Sequence, residues 1–341
     1  MRSAWISCCA VAAMVMCIFV LHLYTKQPFD DSEIIHHALD KCETGNTMVL
    51  LGSHHKSGTV LTFHLGSLIY DLFENKSLAK FGYFIRRDGE MALMTKEFGV
   101  ISDIRDAIAC PCIKVAHVVR NPIELALSSY LYHKSRTQEV EPWLLVKANS
   151  SRYRKFLPRN SPLLRDTRNI SYQEFLLAVS PEIGLRADAG LETMVNIPGM
   201  VEISKQMKSA ELDLITGNLR KPSDKANQLC SAIPNCNSIS RCFNGTSNLE
   251  LRLEDFDSDF DTTVKRLYHF VGFRGKKLQS LVASAAQFDM QRSINTSSFE
   301  WKHATKGHQS ETSRAELRQI LLEITNSSAV YLDAMRELGY A

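Results

Sequence analysis

Neither sign of charge prevails in this chain. Its 341 residues carry 40 Lys and Arg against 37 Asp and Glu, a formal net charge of +3. No whole-molecule basic field therefore selects nucleic acid as the main partner, and any anion site must be local. Glycine (16) and proline (10) are sparse, while 45% of residues are hydrophobic and 23% charged. That balance excludes a collagen-like or disordered chain and supplies a core for one large domain or two small ones. No C-x-x-C pair occurs among the nine cysteines, which leaves a zinc ribbon without support. No Asp/Glu/His cluster at ligand spacing demands a metal. The ATP-type phosphate loop G-x-x-x-x-G-K-[ST] is missing too: counted from Gly52, Ser57 stands where the second glycine belongs and Gly58 where the lysine belongs.

Charge is absent altogether from Ser3 to Tyr24, a run long enough to span a bilayer, for which about 20 apolar residues suffice. A cleaved signal peptide has a shorter apolar region, roughly 7–15 residues, with a small-residue cleavage site after it, whereas Lys26-Gln27-Pro28 follows here. The expectation is an uncleaved anchor. Arg2 precedes the run and Asp30, Asp31 and Glu33 follow it, so the positive-inside rule puts residues 1–2 in the cytosol and everything after residue 24 in the secretory lumen. Two counts agree with that topology. Six N-x-[ST] acceptors occur, at Asn75, Asn149, Asn169, Asn244, Asn295 and Asn326. With Cys8, Cys9 and Cys17 inside the span, the cysteines left are Cys42, Cys110, Cys112, Cys230, Cys236 and Cys242, an even number suited to disulfides whose pairing is open.

Residues 25–46 read as a polar stem, and 47–341 as the folded domain. Thr47 to Leu51 is a continuous apolar run of the kind buried in a parallel sheet, and from Val60 the apolar residues recur at helical spacing. A second unit repeats the order: Ile113 to Val119 as strand, Arg120-Asn121-Pro122 as turn, and Ile123 to His133 as helix, with Pro122 suited to the first turn. Leu249 to Leu253 alternates like a strand. Ser258 to Asp261 spells a capping box before a helix ending at Phe270, and a further helix covers Lys276 to Gln287. Ser171-Tyr-Gln-Glu174 and Ser313-Arg-Ala-Glu316 spell two more boxes, the latter opening a final helix. The layout is α/β. Residues 137–248 lack strand signals and read as a helical, loop-rich insertion where acceptor specificity would lie.

The chemistry concentrates in the first strand-to-helix loop. A glycine-bearing turn at a helix N-terminus presents backbone N–H groups and the positive dipole end to an anion. In Lys56-Ser57-Gly58-Thr59 the ammonium precedes the glycine, where it can reach a distal anionic group while Gly58, Thr59 and the Thr59 hydroxyl hold a nearer phosphate. K-S-G-T also occurs in ordinary loops. The second unit adds Arg120 at a strand's carboxyl end, with the planar fork that suits phosphate, and Ser128 in the following helix.

Together these elements resemble the sulfotransferase superfamily that uses 3′-phosphoadenosine 5′-phosphosulfate (PAPS). There a K-x-G-T loop holds the 5′-phosphosulfate, and R-[ND]-P-x-[DE]-x-x-x-S, matched here from Arg120 to Ser128, holds the 3′-phosphate. Leu251-Arg-Leu-Glu-Asp-Phe256 and Phe270-Val-Gly-Phe273 resemble two further family segments in order. Lys306 and Gly307 stand where the family has a late basic loop over the nucleotide, although its usual spelling is absent.

The resemblance implies a P-loop-like three-layer fold with a central parallel sheet, PAPS as co-substrate, and no metal requirement. With the anchor, it implies a single-pass type II Golgi enzyme acting on a glycan or another hydroxyl. A tyrosine or small-molecule acceptor, or a noncatalytic nucleotide-binding protein, are the alternatives. Lys56 would stabilise the leaving 5′-phosphate, with Ser57 restraining it before the acceptor binds. For the base, family members use a His or a Glu on a strand between the two motifs. In this chain the candidates are His55, bordering the loop, and Asp88 or Glu90. His117, inside a strand, reads as a packed core residue. The stretch Arg152 to Arg168 reads as a solvated basic face or a contact for an anionic glycan.

Overall fold

The structure is a computed structural model that describes residues 47–71, 86–87, 91–97, 113–135, 142–145, 170–194, 196–216, 248–293 and 313–341. The apolar run 3–24, residues 25–46, the six cysteines beyond residue 24, five of the six sequons, Asp88, Glu90, the basic stretch 152–168, Lys306 and Gly307 lie outside the described residues. Among the described residues, no helix is long and apolar enough to cross a membrane.

Among the described residues, five strands form one sheet: β1 (Thr47–Ser53), β2 (Arg86–Arg87), β3 (Met91–Glu97), β4 (Ile113–Val119) and β5 (Asn248–Arg252), in the order β2-β3-β1-β4-β5. The inner pairings β3–β1, β1–β4 and β4–β5 are parallel, and the short β2 joins β3 antiparallel. β4 reads IKVAHVV and is buried along nearly all its length, as expected for a β-branched strand of a parallel sheet covered on both faces. On one face α1 (Thr59–Asp71) packs with two later helices, so Val49, Leu51, Ala116, Val118 and Leu251 meet Leu65, Ile69, Val264 and Leu267. On the other face Val119 meets Leu125 and Met200. The result is three layers.

The helices after β4 are α2 (Pro122–Lys134), α3 (Pro142–Leu145), α4 (Tyr172–Ala178), α5 (Pro181–Glu192) and α6 (Asn196–Thr216). After β5 come α7 (Leu253–Ser258), α8 (Phe260–Val271), α9 (Gly275–Ala285), a 3₁₀ turn to Phe288, α10 (Met290–Ser293), α11 (Arg314–Thr325) and α12 (Ala329–Glu337). The described part of 137–248 is helical, as the sequence suggests. Both Ser171/Glu174 and Ser313/Glu316 form reciprocal capping boxes. Two expectations change. The cap of α8 is Asp259, which accepts from Thr262 N–H, while the Ser258 hydroxyl turns back to Asp255 O. The final helix is α12, not α11.

The sheet order places the site. β1 is followed by β3 on one side, whereas β4 is followed by β5 on the other, so the chain switches direction between the neighbours β1 and β4. Ligands of open α/β sheets bind outside the carboxyl ends of strands at such a switch point. The loops 54–58 and 120–121 both lie there.

Candidate functional site

The loop after β1 is organised around one carbonyl oxygen. His54 O accepts from Ser57 N at 2.9 Å, Ser57 Oγ at 2.8 Å and Thr59 Oγ1 at 2.9 Å, and the His54 N–H donates to Ser57 Oγ at 2.6 Å. Such a tight turn needs left-handed residues, here Lys56 at φ 60° and Gly58 at φ 103°. Glycine adopts this without a Cβ penalty, whereas the lysine stores about 1 kcal/mol of strain. Gly58 is also hemmed in, since a Cβ there would stand 3.0 Å from Leu253 Cδ1. α1 starts with the unsatisfied N–H donors of any helix N-terminus and no acidic side chain in its first turn. An anion therefore meets no carboxylate of α1 there.

Two expected roles shift. The Thr59 hydroxyl turns inward, donating to His54 O and accepting from Ser53 Oγ at 3.3 Å, so it is spent on bonds within the strand and loop. Ser57 is fully buried and its hydroxyl is committed to His54, not to Lys56. The Lys56 ammonium instead rests on an aromatic face, 2.8 Å from the ring centre of Tyr132 in α2.

The second motif meets the first directly. Arg120 Nη1 donates to Lys56 O at 2.7 Å, across 64 residues of sequence. Burial lowers the Arg120 pKa, with Glu254 and Glu124 opposing and Arg314 reinforcing that shift, yet a guanidinium stays charged. Asn121 caps α2 by accepting from Ile123 N at 2.9 Å and Glu124 N at 3.4 Å, with Pro122 opening the first turn. Its own N–H donates to Glu254 Oε1 at 3.0 Å, and Glu254 Oε2 accepts from Tyr340 Oη at 2.6 Å. The L-R-L-E-D-F segment is thus joined to the same corner. Glu124 receives Arg314 and Arg318 of α11, each at 2.8 Å. Burial would raise its pKa, but those two hydrogen bonds outweigh it and hold the carboxyl below the usual range. Ser128 is buried in α2.

No protein-family model and no curated protein matches the sequence. Among solved structures, the chain is similar to mouse sulfotransferase SULT7A1 complexed with PAP. The two share 13% identity over 89% of this chain and 93% of that one, at a TM-score of 0.34.

Three features of the corner have no local signal in the sequence. Glu97, the last residue of β3, is in register with Ser53 and so lies level with the start of the loop. The stretch MALMTKE consists mostly of helix formers, and only pairing with β1 makes it a strand. Met91, at the other end of β3, is level with Thr47.

The second is a buried polar network behind the loop. His133 Nδ1 faces Asp188 Oδ1 at 2.8 Å, and Tyr172 Oη donates to the same oxygen at 3.0 Å. Ser129 Oγ donates to Glu192 Oε1 at 2.7 Å, and Asn196 Nδ2 to Glu192 Oε2 at 2.8 Å. Burial opposes the imidazolium of His133, but Asp188 prevails and raises its pKa. Burial and Asp188 push Glu192 up to about 7 against the hydrogen bonds from Ser129 and Asn196. His55 stacks on His133, ring centres 6.0 Å apart, and meets Tyr132 edge-on at 6.3 Å. These partners are spread over α2, α4, α5 and α6, so no local pattern announces them.

The third is the set of partners around His117, which is fully buried, as a packed core residue should be. Its Nε2 lies 3.1 Å from His54 Nε2, and its Nδ1 faces Glu250 Oε2 at 3.5 Å.

Proposed function

We propose that this chain transfers the sulfuryl group of PAPS to a hydroxyl. The observation that carries the reading is the Arg120-to-Lys56 hydrogen bond, because it brings the K-S-G-T loop and the R-N-P-x-E-x-x-x-S motif to one corner of the sheet. The 5′-phosphate sits on the N–H groups opening α1. Arg120, whose fork has further N–H donors beyond the one spent on the loop, takes the 3′-phosphate together with Ser128. Lys306 and Gly307 are proposed to close over the nucleotide.

In the reaction the acceptor oxygen attacks sulfur in line, and the bond from sulfur to the bridging oxygen breaks with its electron pair left on the 5′-phosphate. Lys56 leaves the Tyr132 face to meet that developing charge, the interaction that strengthens most in the transition state. Glu97 is proposed for the acceptor's proton from its backbone register alone, level with Ser53 on the neighbouring strand. His55 is the second reading for the base. Its ring is packed between Tyr132 and His133, which suits a wall of the acceptor site better. Glu90 remains a proposal of the sequence alone.

The favoured acceptor is a carbohydrate hydroxyl and the setting the Golgi lumen, with residues 3–24 as the membrane anchor, 25–46 as stem and 137–248 bearing acceptor contacts. The luminal setting is supported by the sequons, of which Asn326 is exposed at the end of α11. The test is transfer of labelled sulfate from PAPS to a panel of glycans, tyrosine peptides and small alcohols. Turnover with one class is expected, and Lys56→Ala should lower kcat far more than it weakens binding of adenosine 3′,5′-bisphosphate. Near-normal kcat in that variant would remove the assignment of the loop.

A further inference from the structure

We propose that His117 and Glu250, on β4 and β5, are positioning residues for the phosphate loop, acting through the ring of His54. This rests on the nucleotide reading of that loop.

The geometry links them in series. Glu250 is the outermost member, its side chain 27% exposed, while His117 and His54 are fully buried. The two Nε2 atoms stand 3.1 Å apart, a hydrogen-bond distance that requires one proton between them and excludes two. With Glu250 ionised and facing His117 Nδ1 at 3.5 Å, the Nδ1–H form of His117 is the favoured one, which makes its Nε2 the acceptor and His54 Nε2–H the donor. The tautomer of each ring is thereby set from the surface inward. The His54 ring is confined on its other side by α6, where a Cβ on Gly199 would come within 3.3 Å of it. Facing Glu250 from α6 are Ser204 and Lys208.

His54 is also the residue whose main chain builds the loop, since its carbonyl receives Ser57 and Thr59 and its N–H holds Ser57. A ring pinned by His117 fixes the peptide planes that aim the Gly58 and Thr59 amides. A second proton between the two Nε2 atoms would make one ring an imidazolium, set two N–H groups against each other and drive the rings apart. Burial and the neighbouring His117 accordingly keep the His54 pKa well below its ordinary value. Acidification should therefore loosen the loop and release the nucleotide.

The test uses the whole chain, with adenosine 3′,5′-bisphosphate as the probe. Calorimetry across the histidine range compares wild type with His117→Gln, which keeps a partner for His54 but does not titrate. The ligand's own protonation cancels in the ratio of the two affinities. That ratio should rise in favour of the glutamine variant as pH falls, with a limiting slope of about tenfold per pH unit for one proton. His117→Leu, which offers no partner, should bind several-fold more weakly at neutral pH. Imidazole ¹⁵N spectra of the ligand-free wild type should show His117 protonated at Nδ1 and His54 at Nε2. A flat affinity ratio, or spectra that put the two protons on other ring nitrogens, overturns the proposal while leaving the nucleotide site standing. Wild-type protein that binds no bisphosphate at all overturns the nucleotide reading and the proposal with it.

Discussion

At the scale of single residues, strain and buried charge mark the corner where β1 and β4 end. Lys56 holds a left-handed backbone that its own chemistry disfavours, and Arg120 steadies it through its carbonyl. Arg120→Lys keeps the charge but loses the fork, so it should weaken bisphosphate binding by about 1.5–3 kcal/mol, the worth of one charge-assisted hydrogen bond; unchanged affinity by calorimetry would count against this geometry. Glu192 offers a prediction with a sign. Its folded pKa of about 7 exceeds its ordinary 4.5, so between those values the folded chain binds a proton that the unfolded chain has released. The resulting stability is full below pH 4.5 and lost as pH rises through 7. Glu192→Gln should remove that loss, worth up to about 3 kcal/mol, and a set of urea midpoints against pH should flatten. His54 works in the opposite sense: its depressed pKa gives stability present above the ordinary histidine value of 6.5 and lost below it.

At the scale of elements, local signals were legible and long-range ones were not. Ser171 with Glu174 and Ser313 with Glu316 announce their helices because a capping box is complete within four residues. Ser313→Ala should cost about 1 kcal/mol of stability without touching nucleotide affinity, and a loss of affinity equal to that of Arg120→Lys would show that α11 reaches the site. β4 was legible from its β-branched run to the residue, and the turn and helix after it to within one residue at each end. β3 was not, because its composition favours a helix and its pairing with β1 lies some forty residues away in sequence. The site divides along the same line. Lys56, Gly58, Arg120 and Ser128 stand in short motifs, whereas Tyr132 under Lys56, Glu97 beside Ser53 and the His54–His117–Glu250 series exist only once strands are paired and helices stacked.

At the scale of the whole molecule, one sheet with helices on both faces puts the two loops proposed to hold phosphates side by side at a switch point, and the proposed topology sets that corner in the secretory lumen. The full chain expressed in a secretory cell should lose mass when N-glycans are removed, and in intact vesicles its domain should resist protease until detergent is added; digestion without detergent would remove the luminal placement and leave the phosphate corner untouched. The most direct measurement of the central claim, that the two motifs form one site for a 3′,5′-bisphosphorylated nucleotide, is calorimetry of the wild type with adenosine 3′,5′-bisphosphate and with adenosine 5′-phosphate. Tighter binding of the bisphosphate by at least about tenfold is predicted, from one charge-assisted contact at the 3′ position. Equal affinities would contradict the account.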